Sequence, residues 1–204
     1  VEGEAEVMDI DEDAIRKGVI TAMLYGYLRV PQESNYVQNT KSSSPQGESE
    51  VVLGIASEVV RNMEKDCLYI IGPGTTTRAI MNELGLANTL LGVDAVLNGE
   101  LVASDVSERQ LLSLTNRKRV KIVVAVIGGQ GYILGRGNQQ LSPTVIRRVG
   151  KENIIVVSSM EKLTTLNKQP LLVDTGDSEL DEALSGYIKV TVGFNSYSMY
   201  RVGG

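Results

Sequence analysis

The chain has 204 residues, of which 42% are hydrophobic, and a formal net charge of −5. It is therefore long enough to bury a core of its own, and its acidity argues against nucleic acid or an anionic membrane as the main partner. It contains no His and a single Cys, Cys67, which excludes Ser-His-Asp triads, His-ligated zinc sites and internal disulfides.

No apolar run approaches the roughly 20 residues that span a bilayer, and no signal-peptide pattern is present. We therefore predict a cytoplasmic protein without a membrane segment. Any metal should be a hard cation bound by oxygen atoms, and Mg²⁺ beside a phosphate is the natural candidate.

Residues 1–31 are predicted to form a small β segment, because residues 4–10 alternate and residues 19–30 form a second strand candidate with Tyr25 and Tyr27 on one face. Residues 32–49 are rich in Ser, Asn and Gln and predict a flexible loop. The chain begins with Val1 rather than Met, so we expect it to be a piece of a longer protein whose upstream domain the β segment continues.

From residue 50 to residue 204 the pattern changes to alternating helices and strands. At least five such alternations predict an α/β fold, a mostly parallel sheet with helices on both faces. Ser142 followed by Pro143 is a strong helix start, and the preceding apolar strand of residues 122–127 is predicted to lie at the centre of the sheet.

Glycine-rich loops follow two of the predicted strands. One loop contains three Thr residues and an Arg, and the other has glycines in three of four positions before a second glycine pair that brackets Arg136. A strand, a glycine loop and a helix N-terminus can bind phosphate. The alternatives are a simple helix cap with excess threonine in the first loop and tight turns in the second. The candidate nucleotide-binding residues are Gly72, Gly74, Thr75, Thr76, Thr77, Arg78, Asp94, Gly128, Gly129, Gln130, Gly131, Arg136 and Asn138.

Ligands of parallel sheets bind beyond the carboxyl ends of the strands. We therefore expect residues 72–78, 128–138 and 174–177, together with Asp94 and Lys162, to share one edge. Arg78 and Arg136 should then lie in a common cleft, and Asp174 or Asp177 would help to hold Mg²⁺ there.

Several blocks, among them YIIGPGTTTRAIMNELGL, TLLGVDAV, IGGQGYILGRGNQQLSPTVIRRVG and LLVDTGDSELDEALSGYIKVTVG, resemble the C-terminal part of ATP-NAD kinase-like proteins of the AcoX type. The resemblance runs from about Glu4 to Val192. It implies phosphorylation of the 2′-hydroxyl of NAD to give NADP, with ATP or polyphosphate as donor and Mg²⁺, and it implies a homo-oligomer.

The resemblance also implies residue roles: Arg136 would neutralise phosphate, and Asn138 and Asp94 would bind ribose or adenine. The family's Gly-Gly-Asp-Gly-Thr motif does not occur in this sequence. We expect the catalytic base upstream of Val1, so this chain should bind nucleotides without turning them over. Two rival hypotheses remain: a phosphosugar-binding sensor domain and a non-catalytic oligomerisation domain.

Overall fold

The computed structural model describes residues 2–10, 22–31, 45–116 and 118–203. The chain divides into two compact units, Val1–Ser42 and Ser43–Gly204, and this division falls within the predicted loop of residues 32–49. Residues 11–21 and the loop residues 32–44 lie outside the described residues.

The first unit contains an antiparallel pair of strands, β1 (Glu2–Ile10) and β2 (Ala22–Pro31). The register shifts between Val7 and Met8, where β2 has one extra residue. The two strands lie where the sequence predicts them. Tyr25 and Tyr27 of β2 are both exposed.

The second unit contains the other strands and six helices, with one further 3₁₀ turn at Lys151–Asn153. The helices are α1 (Pro45–Arg61), α2 (Thr75–Glu83), α3 (Glu108–Leu114), α4 (Pro143–Val149), α5 (Met160–Thr165) and α6 (Ser178–Leu184). The strands are β3 (Cys67–Ile71), β4 (Asp94–Leu97), β5 (Glu100–Ala103), β6 (Arg119–Ala125), β7 (Tyr132–Leu134), β8 (Ile154–Val157), β9 (Leu171–Val173), β10 (Gly186–Gly193) and β11 (Ser196–Gly203).

These nine strands form one mixed sheet with the order β5-β4-β3-β6-β8-β10-β11-β9-β7. Strands β3, β6, β8 and β10 are parallel to one another. The β10–β11 hairpin reverses the direction, and β11, β9 and β7 are again parallel among themselves. The predicted α/β class with a mostly parallel sheet is confirmed.

Helices cover both faces because alternate residues of β3 belong to different cores. Leu68 and Ile70 pack in the larger core with Leu111 of α3 and Val145 of α4. Cys67, Tyr69 and Ile71 pack in the second core, which contains Ile55 of α1 and Ile80 of α2. A strand that is buried on both faces has an uninterrupted apolar sequence, as the CLYII of β3 does.

Two boundaries differ from the prediction. Helix α1 is described from Pro45 rather than Glu50, so the polar stretch 45–49 belongs to a helix although its composition is typical of loops. Strand β4 begins at Asp94 rather than Thr89, because the Asp94 side chain binds the loop before it. The helix starts at Ser107 and Ser142 are as predicted.

A buried carboxylate ties α1 to the β10–β11 turn. Glu58 is 2% exposed and accepts hydrogen bonds from the Tyr197 hydroxyl, the Asn195 N–H, Arg61 and Asn62. The Tyr197 hydrogen bond is the largest cause of a lowered pKa of Glu58, about 2 instead of 4.5, and burial acts in the opposite direction.

Among the described residues, no helix is both long and apolar enough to cross a membrane.

Candidate functional site at the carboxyl ends of three parallel strands

Three neighbouring strands of the sheet end side by side. Ile71, the last residue of β3, pairs with Val123, which lies two residues before the end of β6. Ala125, the last residue of β6, pairs with Val157, the last residue of β8. The loops that follow these strands therefore start at one edge. We call this edge the rim, and it comprises residues 72–78, 126–131 and 158–162.

The first rim loop is fixed to its neighbours through glycine backbone groups. The Gly72 N–H donates to the Val123 carbonyl at 2.8 Å, and the Gly74 N–H donates to the Leu90 carbonyl at 3.1 Å. A Cβ on Gly72 would lie 3.2 Å from the Val123 oxygen, so a larger residue would push the loop away from β6. Helix α2 then begins at the rim, with Gly74 at its N-cap and no side-chain cap.

The three threonines that begin α2 have different environments. The Thr77 hydroxyl donates to the Gly74 carbonyl at 3.0 Å, which makes it part of the turn itself. Thr76 is 1% exposed, and its Oγ1 accepts a hydrogen bond from Lys162 Nζ at 3.0 Å. Thr75 and Arg78 are exposed at the surface of the rim.

The second rim loop is a tight turn that closes on itself. The Ile127 N–H donates to the Tyr132 carbonyl at 2.9 Å, and the Gly131 N–H donates to the Ile127 carbonyl at 2.9 Å. Gly129 and Gly131 have φ values of 77° and 78°, which favour glycine. Gly128, Gly129 and Gln130 are exposed, so the loop forms a tight turn with an accessible outer surface, and ligand binding there stays a prediction.

The third rim loop brings a cation between the other two. Ser159 caps α5 by accepting from the Lys162 N–H. The Lys162 stem then passes Gly128, whose added Cβ would lie 3.8 Å from Lys162 Cγ, and its Nζ reaches Thr76. The sequence predicts that Lys162 lies at this edge but does not identify it as a ligand-binding residue, because periodicity does not show which way a side chain extends.

Asp94 lies at the rim but supports it from inside. It pairs with Ile71 at the start of β4 and is 2% exposed. Its carboxylate accepts from the Thr89 N–H at 2.8 Å, the Thr89 hydroxyl at 2.7 Å and the Asp105 N–H at 3.0 Å. The carboxylate thus holds the loop whose Leu90 carbonyl binds Gly74, instead of facing a ribose.

The structure does not bring Arg136 and Asn138 to the rim. They follow β7, which runs opposite to β6 because the β10–β11 hairpin reverses the sheet. Arg136 contacts Tyr132 and Asp174, and no contact described for it involves Arg78, so a cleft shared by Arg78 and Arg136 stays a prediction. The prediction placed the loop of Arg136 at the carboxyl edge of a mostly parallel sheet, and the β10–β11 hairpin reverses the strand that it follows.

The loop around Arg136 is held by its own contacts. Asn138 is 5% exposed; its Oδ1 accepts from the Gly135 N–H at 2.9 Å and its Nδ2 donates to the Ile133 carbonyl at 3.0 Å. The Arg136 guanidinium lies 4.5 Å from the centre of the Tyr132 ring and 3.4 Å from an Asp174 oxygen. The Asn138 side chain is therefore engaged within its own loop, whereas Arg136 stays half exposed beside Asp174.

Asp174 and Asp177 do not form a metal site. Asp174 pairs with Arg136, while Asp177 caps α6 by accepting from the Leu180 N–H at 3.0 Å and pairs with Arg147. The Arg147 hydrogen bond is the main cause that lowers the pKa of Asp177 to about 2. Among the described residues no group of three or more His, Cys, Asp or Glu side chains could hold a metal ion.

Three cavities of the second unit lie away from the rim loops. Cavities of about 410, 720 and 590 Å³ open elsewhere on the second unit, and none of these three is lined by a residue of the rim loops. The cavity of about 720 Å³ is lined by three lysines and three glutamates, with Ile155 and Tyr187 between them. We place the candidate site at the rim because the glycine backbone and a cation converge there.

Residues 64–202 match a family model described as the ATP-NAD kinase C-terminal domain, which includes all three rim loops. Searches of curated proteins and of solved structures gave no match.

Proposed function

Because the chain belongs to the ATP-NAD kinase C-terminal domain family, we propose that its rim binds the phosphates of NAD and ATP. The reaction served would transfer a phosphoryl group, from ATP or polyphosphate, to the 2′-hydroxyl of the adenosine ribose of NAD and give NADP. The observation that carries the proposal is the hydrogen bond from Lys162 to Thr76 at 3.0 Å, which joins loops from separate strands at one place.

The rim provides what phosphoryl transfer requires. Such reactions depend on positioning and on neutralisation of charge more than on covalent chemistry by the protein. Gly72, Gly74 and the exposed residues Gly128–Gln130 allow an anion to approach the backbone, and the first N–H groups of α2 have no partners within the helix. Arg78, which is exposed at the same end of α2, supplies further positive charge.

A divalent cation fits this proposal only as a counter-ion of the nucleotide. Mg²⁺ commonly binds through substrate phosphates and one or two carboxylates. Since Asp174 and Asp177 are engaged with Arg136 and Arg147, we assign no residue of this chain to the metal.

Calorimetric titration with NAD, ATP and ribose 5-phosphate, each with Mg²⁺, tests the proposal. We expect NAD and ATP to bind and the sugar phosphate alone to bind far more weakly. Arg78→Met should weaken ATP binding by roughly 10-fold, whereas Arg109→Met, which removes an exposed guanidinium from α3, should change nothing. Tight binding of ribose 5-phosphate, with none for NAD or ATP, would favour the sensor hypothesis instead.

Turnover is a separate question. The Gly-Gly-Asp-Gly-Thr motif is absent from the sequence, so the carboxylate that would activate the 2′-hydroxyl is not supplied by that motif. We expect an assay of this chain with NAD, ATP and Mg²⁺ to give no more NADP than a control without protein. Rapid NADP formation would contradict this division between binding and catalysis.

A further inference from the structure

The Lys162–Thr76 contact has a direction fixed by chemistry. A lysine ammonium has three N–H donors and no acceptor, whereas a threonine hydroxyl has both. In the hydrogen bond at 3.0 Å, Thr76 Oγ1 must therefore be the acceptor. Its own O–H proton is then left to donate to another acceptor.

The position of the pair suits a ligand that carries negative charge. Thr76 is 1% exposed, yet Lys162 beside it is only partly buried. The Lys162 stem runs along Gly128 of the second rim loop, so the ammonium lies between two glycine-rich loops. A half-buried ammonium interacts with an anion more strongly than a fully solvated one, because less water screens the charge.

Thr77 shows what a purely structural threonine does at this turn. Its hydroxyl donates to the Gly74 carbonyl, three residues earlier in the same turn. Thr76 instead receives a hydrogen bond from a residue 86 positions away. A lysine ammonium has no acceptor and cannot cap the N–H groups of a helix start, so this long-range contact is not a helix cap.

We propose that Lys162 and Thr76 form a phosphate-binding pair for the phosphoanhydride of a nucleotide at the rim. The ammonium neutralises charge on the phosphate, and the Thr76 hydroxyl donates to one of its oxygens while it accepts from Lys162. This inference rests on the proposed function, because it assigns residues to the phosphates of the same nucleotide site.

Calorimetry with ATP and adenosine tests the pair, since only ATP carries phosphate. Lys162→Met should weaken ATP binding about 30-fold, the loss expected for one charge-assisted hydrogen bond, and should change adenosine binding less than about 2-fold. It should also reduce the dependence of ATP affinity on NaCl concentration, because one cation is lost. The matched control is Lys168→Met, which removes an exposed lysine from the loop after α5.

Variants of Thr76 test the phosphate-binding pair independently, and they do so even if Lys162→Met does not fold. Thr76→Val removes the hydroxyl and should weaken ATP binding, whereas Thr76→Ser keeps it and should retain most of the affinity. Equal loss of ATP and adenosine affinity in the variants would show a structural role and overturn the pair.

The two proposals fail in different ways. If the wild type binds ATP and both Lys162→Met and Thr76→Val bind it equally well, the pair is wrong while the nucleotide site stands. If the wild type binds no nucleotide at all, the proposed function and this pair fail together.

Discussion

Gly135 and Gly137 bracket Arg136 in one loop, and both have positive φ, 87° and 70°. They differ in the space around them. A Cβ on Gly135 would lie 1.7 Å from the Asp174 carbonyl oxygen, whereas a Cβ on Gly137 meets nothing within 4 Å. The sequence predicts two turn glycines, but it cannot show which of them touches the backbone of another strand.

We therefore expect Gly135→Ala to destabilise the protein by more than about 3 kcal/mol, because a backbone clash is added to the strained φ. Gly137→Ala should cost about 1 kcal/mol, the strain of the left-handed conformation alone. Urea unfolding monitored by circular dichroism measures both. Equal losses in the two variants would mean that the loop can move away from Asp174.

Glu58 predicts a pH dependence of stability. Its pKa is lowered from 4.5 to about 2 in the folded protein, so its stabilising effect is fully present above pH 4.5 and is lost as the pH falls towards 2. We expect Glu58→Gln to have a lower urea midpoint than the wild type at pH 7. The difference should shrink steadily between pH 4.5 and pH 2.5.

Asp177 also has a pKa lowered to about 2 and loses its stabilising effect in the same pH range. The difference in stability between the wild type and Glu58→Gln isolates the effect of Glu58, because Asp177 is present in both proteins. Glu182→Gln on the exposed side of α6 is the control and should match the wild type at every pH. A constant difference between the wild type and Glu58→Gln from pH 7 to pH 2.5 would contradict the assignment.

At the scale of elements, the helix starts at Ser107 and Ser142 can be predicted from local sequence because a cap depends on residues three positions apart, whereas the start of α1 cannot. Ser107 accepts from the Gln110 N–H, and the Gln110 side chain accepts from the Ser107 N–H, a capping box. Strand direction was not readable in this way. The reversal at the β10–β11 hairpin moves β9 and β7 into antiparallel orientation to β6, and only their pairing partners, distant in sequence, determine this.

The cap of α3 can be tested directly. Ser107→Ala removes the hydroxyl that accepts from Gln110 and should destabilise the protein by about 1 kcal/mol. Ser113→Ala within the same helix, where the side chain is exposed, should leave stability unchanged or slightly raise it, since alanine is the better helix former. The free energy of unfolding in urea distinguishes these outcomes.

At the scale of the whole molecule, the described core is confined to the second unit. Every buried apolar side chain among the described residues lies between Ile55 and Val202, within Ser43–Gly204. Composition indicated this separation, because residues 32–49 are almost free of apolar side chains. The convergence of three loops at the rim, with Lys162 among them, was predictable from parallel strands alone. The hydrogen bond from Lys162 to Thr76 and the reversed direction of β7, which Arg136 follows, required the observed structure.

Removal of residues 1–42 should therefore leave the second unit folded, with a melting temperature within about 3 °C of that of the full chain. Differential scanning calorimetry measures this, and the near-ultraviolet circular dichroism of the remaining tyrosines serves as the control for native packing. A loss of cooperative melting would show that the first unit contributes to the core of the second.

The hydrogen bond from Lys162 to Thr76 spans 86 positions of the chain, and this separation has a consequence for biosynthesis. A nascent polypeptide that has emerged only as far as Ala125 already contains the first glycine turn, but it lacks the lysine and helix α5, which carries it. Contacts this distant in sequence form late in folding. If the rim binds a nucleotide as proposed, nucleotide added during translation would stabilise finished molecules and leave incomplete ones unprotected.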